Sequence, residues 1–584
     1  MPVETDNVVN VGMRLSDTAC RNPSGVAVVE PLGHDRHGKR QYRQVTFGEL
    51  EEDTNRIAAG LQAMGVQKGT RLVLLVRPGI DFIALVFALF KSGAVTILID
   101  PGMGRNNLIK CLHDAQPDGF VAISFAQAIR CLLPHRFRQA RLNVTVGRRW
   151  FWTGPTLSGL RMQNHAAFSG ATTAADDSAA VIFTTGSTGP PKGVLYRHGN
   201  FDRQVDEIRD AYDIQPGEID LPGFPLFALF NAAMGVTTVI PDMDFTRPAD
   251  ADPRNIVEAV HDWQVTQAFG SPALLNTLGR YCERHEVKLP TLRRVLSAGA
   301  PVPPHVLRRI RTAMADDGEI HTPYGATEAL PVASISASEV LAETAQRSEE
   351  GAGTCVGHRF PGIQWKVIRI RDDAIPEIDE IEEMPKGQIG ELIVTGRVVT
   401  SQYVTRLDAN PLHKVHDRND LGSNDLGSND LASNDLASNR LGSNRIWHRM
   451  GDVGYLDEQD RFWFCGRKAH RVETERGTLY TIPCEAIVNC HPHVYRSAVV
   501  GVGHAPRQTA VVVVETWPEH RPRSEADRLE LIRTIRQRLT ASELTRTIEH
   551  VLLHESLPVD IRHNAKIFRE QLAVWATDHL QEAR

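Results

Sequence analysis

The sequence predicts an α/β protein with a large layered N-terminal domain, residues 1–465, and a smaller α+β domain, residues 466–584. Three observations lead there. A chain of 584 residues is longer than one hydrophobic core supports. Up to about residue 460, near-continuous aliphatic and β-branched runs alternate with amphipathic stretches, as in a sheet covered by helices on both faces. Beyond Gly466 the alternation is replaced by two strand-like runs, a capped helix and one last strand.

The elements follow in order. Residues 71–76 (RLVLLV) predict a strand, and residues 80–91 a helix. Its apolar stretch, Phe82 to Phe90, is bounded by Asp81 and Lys91 and falls far short of the roughly 20 residues that span a bilayer. A buried helix and no transmembrane segment are expected. Residues 95–99 predict a second strand, and residues 179–185 a third that runs into a glycine-rich loop. In the tail, residues 498–502 and 509–515 predict strands. Ser524 then caps a helix with Leu529, Ile532, Ile535 and Leu539 at helical spacing. A strand near residues 551–553 precedes a polar loop ending in Lys566. Residues 420–444 are tandem pentapeptides (DLGSN, DLGSN, DLASN, DLASN, RLGSN), whose period fits neither helix nor strand. They predict an expanded, disordered surface loop without chemistry.

Composition removes several function classes. Sixty-five basic against 71 acidic residues give a net charge of −6, so no global field recruits nucleic acid or anionic lipid, and any anion is held locally. The N-terminus carries early acids and no apolar core, so no secretory signal is expected. Cysteines at 20, 111, 131, 282, 355, 465, 484 and 490 show no CxxC spacing, which predicts a reducing, cytoplasmic setting. Cys484, Cys490, His491 and His493 match no zinc spacing.

The strongest chemical signal is Thr184-Thr185-Gly186-Ser187-Thr188-Gly189-Pro190-Pro191-Lys192-Gly193. Glycines let the backbone turn N–H groups onto an anion, hydroxyls add donors, and Lys192 adds charge. Pro191 and Gly193 around the lysine exclude the GxxxxGK[ST] phosphate loop. This run resembles the phosphate loop of the acyl-adenylate-forming superfamily, which includes acyl-CoA synthetases, firefly luciferases and peptide-synthetase adenylation domains.

Further motifs follow in the order of that family. Ser297-Ala298-Gly299-Ala300-Pro301 resembles its adenine-side loop, and Tyr324-Gly325-Ala326-Thr327-Glu328 its YGxTE motif. Met450-Gly451-Asp452-Val453-Gly454-Tyr455 resembles GDxG(Y/W), and Gly466-Arg467 the GR that follows. The resemblance implies a small β-rich subdomain in the large domain and a mobile C-terminal lid. It implies that Tyr324 packs on adenine, Thr327 meets phosphate, Glu328 holds Mg²⁺, and Asp452 and Arg467 bind the ribose. Lys566, in Pro558–Lys566 where Ala565 replaces the usual glycine, would bridge the carboxylate and the α-phosphate. Thr185, Glu328 and Lys566 are thus the implied catalytic residues, with ATP and Mg²⁺ as cofactors. Arg467 and His470 mark the implied hinge.

Two departures, alanine at Ala228 in Pro225-Leu226-Phe227-Ala228 and His470 after the GR, together with FGSPALL at 269–275, resemble the β-lactone synthetases of bacterial olefin biosynthesis. Some close relatives are labelled peptide synthases or fatty-acid–CoA ligases. Phe227, Ala228, Phe230 and Gly270 are the expected substrate-pocket residues. Residues 230–234 hold no carboxylate to pair with an ammonium, which disfavours an amino acid, while the apolar surroundings suit an aliphatic acid. No carrier-domain segment follows Lys566, so an assembly-line module is not expected. The favoured expectation is adenylation of a long-chain, 2-alkyl-3-hydroxy acid followed by closure to a β-lactone, with other enzymes of an olefin pathway as possible partners. A coenzyme A ligase, or a non-catalytic nucleotide-binding scaffold, remain as alternatives.

Overall fold

The computed structural model describes residues 8–162, 168, 170–184, 190–224, 228–418, 445–560 and 567–582. Thr185, Gly186, Ser187, Thr188, Gly189, Phe227, the 420–444 repeat and Lys566 lie outside these residues.

Two large sheets carry the N-terminal part. The first has six strands in the order Leu142–Val146, Gly119–Ile123, Arg71–Leu75, Val95–Leu98, Ser178–Phe183, Gly193–Arg197. All neighbours are parallel except the last pair. The second has nine strands, parallel from Glu319–Ala326 through Arg294–Ser297, Gln267–Gly270, Ile219–Pro222 and Thr237–Val239 to Val26–His34. Antiparallel strands close both of its edges.

The predicted helix forms as Ile80–Lys91, and every residue except Asp81 is buried. One hydrophobic cluster joins it to Leu72, Val121 and Ala180 of the first sheet and to Ala27, Val28 and Ile240 beside the second. That placement explains a helix apolar on every face. Its one cation, Lys91, is buried without loss of partners: Nζ donates to Glu51 (2.5 Å), Thr54 (2.9 Å) and Asn55 (2.9 Å). A second cluster covers the far face of the nine-stranded sheet with the helices Pro253–Trp263, Pro272–His285 and Pro304–Arg311.

A third, antiparallel sheet is built around the strand Arg445–Leu456, paired with Phe462–Arg467 and Gly390–Gly396. Gly466 and Arg467 end the strand Phe462–Arg467 of this sheet, and the 3-10 turn Lys468–His470 leads on into the tail.

In the tail the strands Val494–Val502, Thr509–Thr516 and His550–Leu553 form one sheet. The helix Glu525–Ala541 starts at the predicted cap, where Ser524 Oγ accepts from Asp527 N. Its buried face differs from the expected one. Leu531, Ile535 and Leu539 are buried, whereas Leu529 is exposed. The i, i+4, i+8 row won over the row beginning at 529, because helix position is set by the sheet it covers.

Candidate active site

The strand Ser178–Phe183 delivers the phosphate-loop motif to the rim of a cavity of about 1460 Å³ lined by residues of all three sheets. The loop is pinned at its base: Thr184 N donates to the Lys192 carbonyl (3.0 Å), and Lys192 N donates to Thr184 Oγ1 (3.1 Å). Thr184 and Lys192 both line the cavity.

Thr327 and Glu328 form the two-residue turn of a hairpin in which Ala326 pairs with Ala329. A Cβ on Gly325 would come within 2.6 Å of the Ala329 carbonyl, so the second residue of the YGxTE motif is glycine because the hairpin is that tight. The turn is clamped from two sides. Tyr196 Oη donates to the Thr327 carbonyl (2.6 Å), and Thr400 donates through N (2.9 Å) and Oγ1 (3.0 Å) to the Glu328 carbonyl. The Glu328 side chain is 8% exposed, and its Oε1 accepts from Tyr403 Oη (2.7 Å). It faces the cavity, and Tyr403 is its one hydrogen-bonding partner among the described residues. A hard cation could therefore be held by this carboxylate.

Around it lies a buried basic group. Lys192 Nζ donates to His413 Nε2 (3.1 Å) and sits 4.7 Å from the Tyr403 ring centre. Burial lowers the Lys192 pKa, and it pushes His413 down to about 4, so His413 is the neutral acceptor this bond requires. Lys414, 3% exposed, donates to the Thr400 carbonyl (2.6 Å) and is lowered by burial to about 7. Burial likewise holds His448 well below its ordinary value. Lys192 is the cation of this group that lines the cavity, with neutral His413 and His448 beside it, and a triphosphate would supply the negative charge it lacks.

Asp452 and Arg467 are cross-strand neighbours, with an ion pair of 2.8 Å. Tyr324 Oη also donates to the Asp452 carboxylate. The carboxylate beside it holds the Arg467 pKa above its usual value, while burial and Asp452 raise that of Tyr324. The final glycine of GDxG is forced by a β-bulge: a Cβ on Gly454 would lie 2.1 Å from the Trp463 carbonyl.

The expected residues do not all reach the cavity. Gly299, Gly325, Thr327, Glu328, Arg467 and Phe230 line it. Ala300, Pro301, Tyr324 and Asp452 are not in its wall, although Gly299, Gly325 and Gly451 beside them are. Gly270 was expected in the substrate pocket, but its neighbours Phe269 and Ser271 line the cavity instead. A Cβ on Gly270 would meet Leu275 at 3.1 Å, so this glycine serves the packing of the following helix. Ala228 opens the helix Ala228–Met234. Asn231 turns into the core, donating to Asp220 Oδ2 (2.7 Å) and Thr238 Oγ1 (3.1 Å). Asp220 is a carboxylate beside this segment that the sequence did not reveal. It faces the core, and burial raises its pKa to about 7. Sequence reasoning also missed Tyr403, His413, Lys414 and His448, none of which carries a motif. His470, at the expected hinge, pairs with Glu570 on the last helix (3.1 Å).

The profile of the AMP-binding enzyme family matches residues 15–404. The chain belongs to the AMP-binding enzymes and is an AMP-forming ligase. It is 44% identical to an olefin β-lactone synthetase of Xanthomonas campestris pv. campestris, with 97% of each chain covered. It is 42% identical to an olefin β-lactone synthetase of Stenotrophomonas maltophilia, covering 98% of this chain and 99% of that one. Among solved structures it resembles the O-succinylbenzoate coenzyme A synthetase of Bacillus subtilis in complex with ATP and magnesium. That match has a TM-score of 0.69 at 18% identity, over 96% of this chain and 98% of that one.

Proposed function

We propose that the enzyme adenylates a long-chain 2-alkyl-3-hydroxy acid and then closes the acyl-adenylate to a β-lactone. The observation that carries this reading is the cavity itself. Its lining combines Lys192, Thr327, Glu328 and Arg467 with apolar side chains drawn from two separate hydrophobic clusters. Leu229, Phe230 and Phe245 come from one of these clusters, and Leu75, Ile99, Leu112 and Phe120 from the other. A volume of about 1460 Å³ exceeds the roughly 300–1,000 Å³ of ordinary ligand pockets, and two apolar clusters suit an acid carrying both a main chain and a 2-alkyl branch. The likeness along the whole chain to two olefin β-lactone synthetases supports the same reading.

In the first step a carboxylate oxygen attacks the α-phosphorus of ATP and pyrophosphate leaves. Lys192 and the 184–193 loop bind the phosphates, and Lys566 neutralises charge growing between carboxylate and α-phosphate. Glu328 would hold Mg²⁺, which screens the phosphates against the incoming carboxylate. In the second step the 3-hydroxyl oxygen bonds to the acyl carbon, the bond from that carbon to the AMP oxygen breaks, and the hydroxyl proton passes to solvent. The nucleophile is tethered to its target, so positioning replaces an external acceptor. The lactone then passes to other enzymes of an olefin pathway. All eight cysteines are unpaired, which supports a cytoplasmic setting, and no helix among the described residues is long and apolar enough to cross a membrane.

The test is pyrophosphate release and product mass with ATP, Mg²⁺ and a 2-alkyl-3-hydroxy acid, with and without coenzyme A. Turnover without the thiol, giving a product lighter than the acid by one water, is expected. Strict dependence on coenzyme A would replace this reading with a thioester ligase, and the absence of pyrophosphate release with every acid tried would leave only a nucleotide-binding scaffold.

A further inference from the structure

At the edge of the first sheet, apolar and cationic side chains share one exposed surface. The helix Ser124–Leu132 presents Phe125, Ile129 and Leu132 at i, i+4 and i+7, with Phe125 61% and Leu132 73% exposed. Beside its start, the loop after the edge strand Leu142–Val146 presents Trp150 (52% exposed) and Phe151 (72%). The two parts are joined, since Ser124 Oγ donates to the Arg148 carbonyl. The exposed pair is held outward by a buried anchor. Trp150 and Phe151 pack on Trp152 at centroid distances of 5.6 and 5.1 Å, and Trp152 Nε1 donates to Thr145 Oγ1 (2.8 Å).

The charge here reverses that of the whole molecule. Between Gly119 and Ala175 there is no aspartate or glutamate, although the chain carries −6 overall. The same stretch holds seven arginines: Arg161 pairs with Asp53 and Asp81, whereas Arg130, Arg136, Arg138, Arg141, Arg148 and Arg149 make no ion pair among the described residues. The surface also opens on the cavity, because Ile123, Phe125, Ile129 and Arg130 line it. Exposed aromatics held by a rigid anchor, with Arg148 and Arg149 directly before them and Arg130 on the neighbouring helix at the cavity lining, match a bilayer interface: aromatic rings at headgroup level, arginines on phosphates, and aliphatic chains within reach.

We propose that this face docks on the surface of an anionic lipid bilayer, lying in the interface without crossing it, and that aliphatic substrate or product passes between the membrane and the cavity there. The binding does not depend on which acceptor completes the reaction. Cosedimentation with vesicles of phosphatidylglycerol and phosphatidylcholine in equal amounts tests it, alongside vesicles of phosphatidylcholine alone. Wild type is expected in the pellet with the anionic vesicles, released by high salt and absent with the neutral ones. Trp150→Ser with Phe151→Ser, and separately Arg148→Glu with Arg149→Glu, are expected to lower the bound fraction at least about tenfold. Both should keep the wild-type melting temperature and pyrophosphate release with a soluble short-chain acid. The proposal is overturned if wild type stays in the supernatant, or if either folded variant binds as wild type does. It is equally overturned if wild type ignores vesicles but forms a larger species in size-exclusion chromatography that the variants dissolve, because the face would then be a protein interface.

Discussion

Tyr403 lies 75 residues beyond Glu328 in sequence and yet donates to its carboxylate from a buried position. Without the hydroxyl, a nearly buried carboxylate would keep its charge but lose the group that fixes its orientation, and groups that orient a metal ligand commonly carry about 10–100-fold of activity or metal affinity. Tyr403→Phe is therefore expected to lower pyrophosphate release about 10–100-fold and to raise the magnesium concentration for half-maximal rate. Excess magnesium should restore part of the rate. A magnesium titration superimposable on wild type would show that Tyr403 only packs. The neighbouring Lys192 ammonium lies 4.7 Å from the centre of the same ring, so Tyr403 touches both the carboxylate and the lysine that the proposed reading assigns to metal and phosphate. No local pattern in the sequence marks it, because its partners come from three different elements.

At the scale of elements, the helix His198–Ala211 is tied to the N-terminal segment through a buried imidazole: Val11 N donates to His198 Nδ1 (3.3 Å). Burial lowers the His198 pKa to about 4, against the opposing pull of Asp177 and Asp202. The unfolded chain therefore binds a proton between about pH 6.5 and 4 that the folded chain refuses, so stability is flat above that window and falls as pH drops through it. At about pH 5 the loss from this one group is on the order of 2 kcal/mol. His198→Gln keeps an acceptor for Val11 but cannot titrate. It is expected to be less stable than wild type near pH 7.5 and to lose less on moving to pH 5, as read by thermal unfolding. Parallel losses in the two proteins would remove His198 from the acid response. The elements most legible in the sequence were those whose pattern has one physical cause. Ile80–Lys91 is apolar all round because it is buried all round, and Ser178–Phe183 ends where its glycine-rich loop begins. The buried face of Glu525–Ala541 was misread at Leu529 because an exposed leucine disturbs the spacing without altering the packing. Gly270 lies between two cavity-lining residues, Phe269 and Ser271, and packs against Leu275 of the helix behind it, a role that no sequence pattern marks.

At the scale of the molecule, the tail owns its core. Its two hydrophobic clusters draw only on residues from Val472 to Leu580, and neither contains a side chain from the large N-terminal part. A body that packs within itself and joins its neighbour through a short turn can move as a unit. Polar contacts at the turn help to hold it in this orientation, beside the packing of Ile487 and Leu544 on Gly351. Arg471 meets Asp372, and Lys468 at the turn donates to Glu391 and to the Arg371 carbonyl (3.0 Å). Such contacts are exchanged at little cost, unlike a shared apolar core. The reading in which Lys566 serves adenylation and then withdraws requires that exchange. Asp372→Cys with Arg471→Cys, bridged by a short methanethiosulfonate reagent that dithiothreitol cleaves, should hold the tail in the present orientation. The uncrosslinked double variant is expected to turn over near the wild-type rate, the bridged enzyme to lose multiple turnover, and the reduced enzyme to regain it. In the bridged state either pyrophosphate release stops at one equivalent or product forms only from supplied acyl-adenylate, depending on which step this orientation serves. Sustained turnover at an unchanged rate with the bridge in place would mean that both steps proceed without rotation, and the tail would then be a fixed wall of the site.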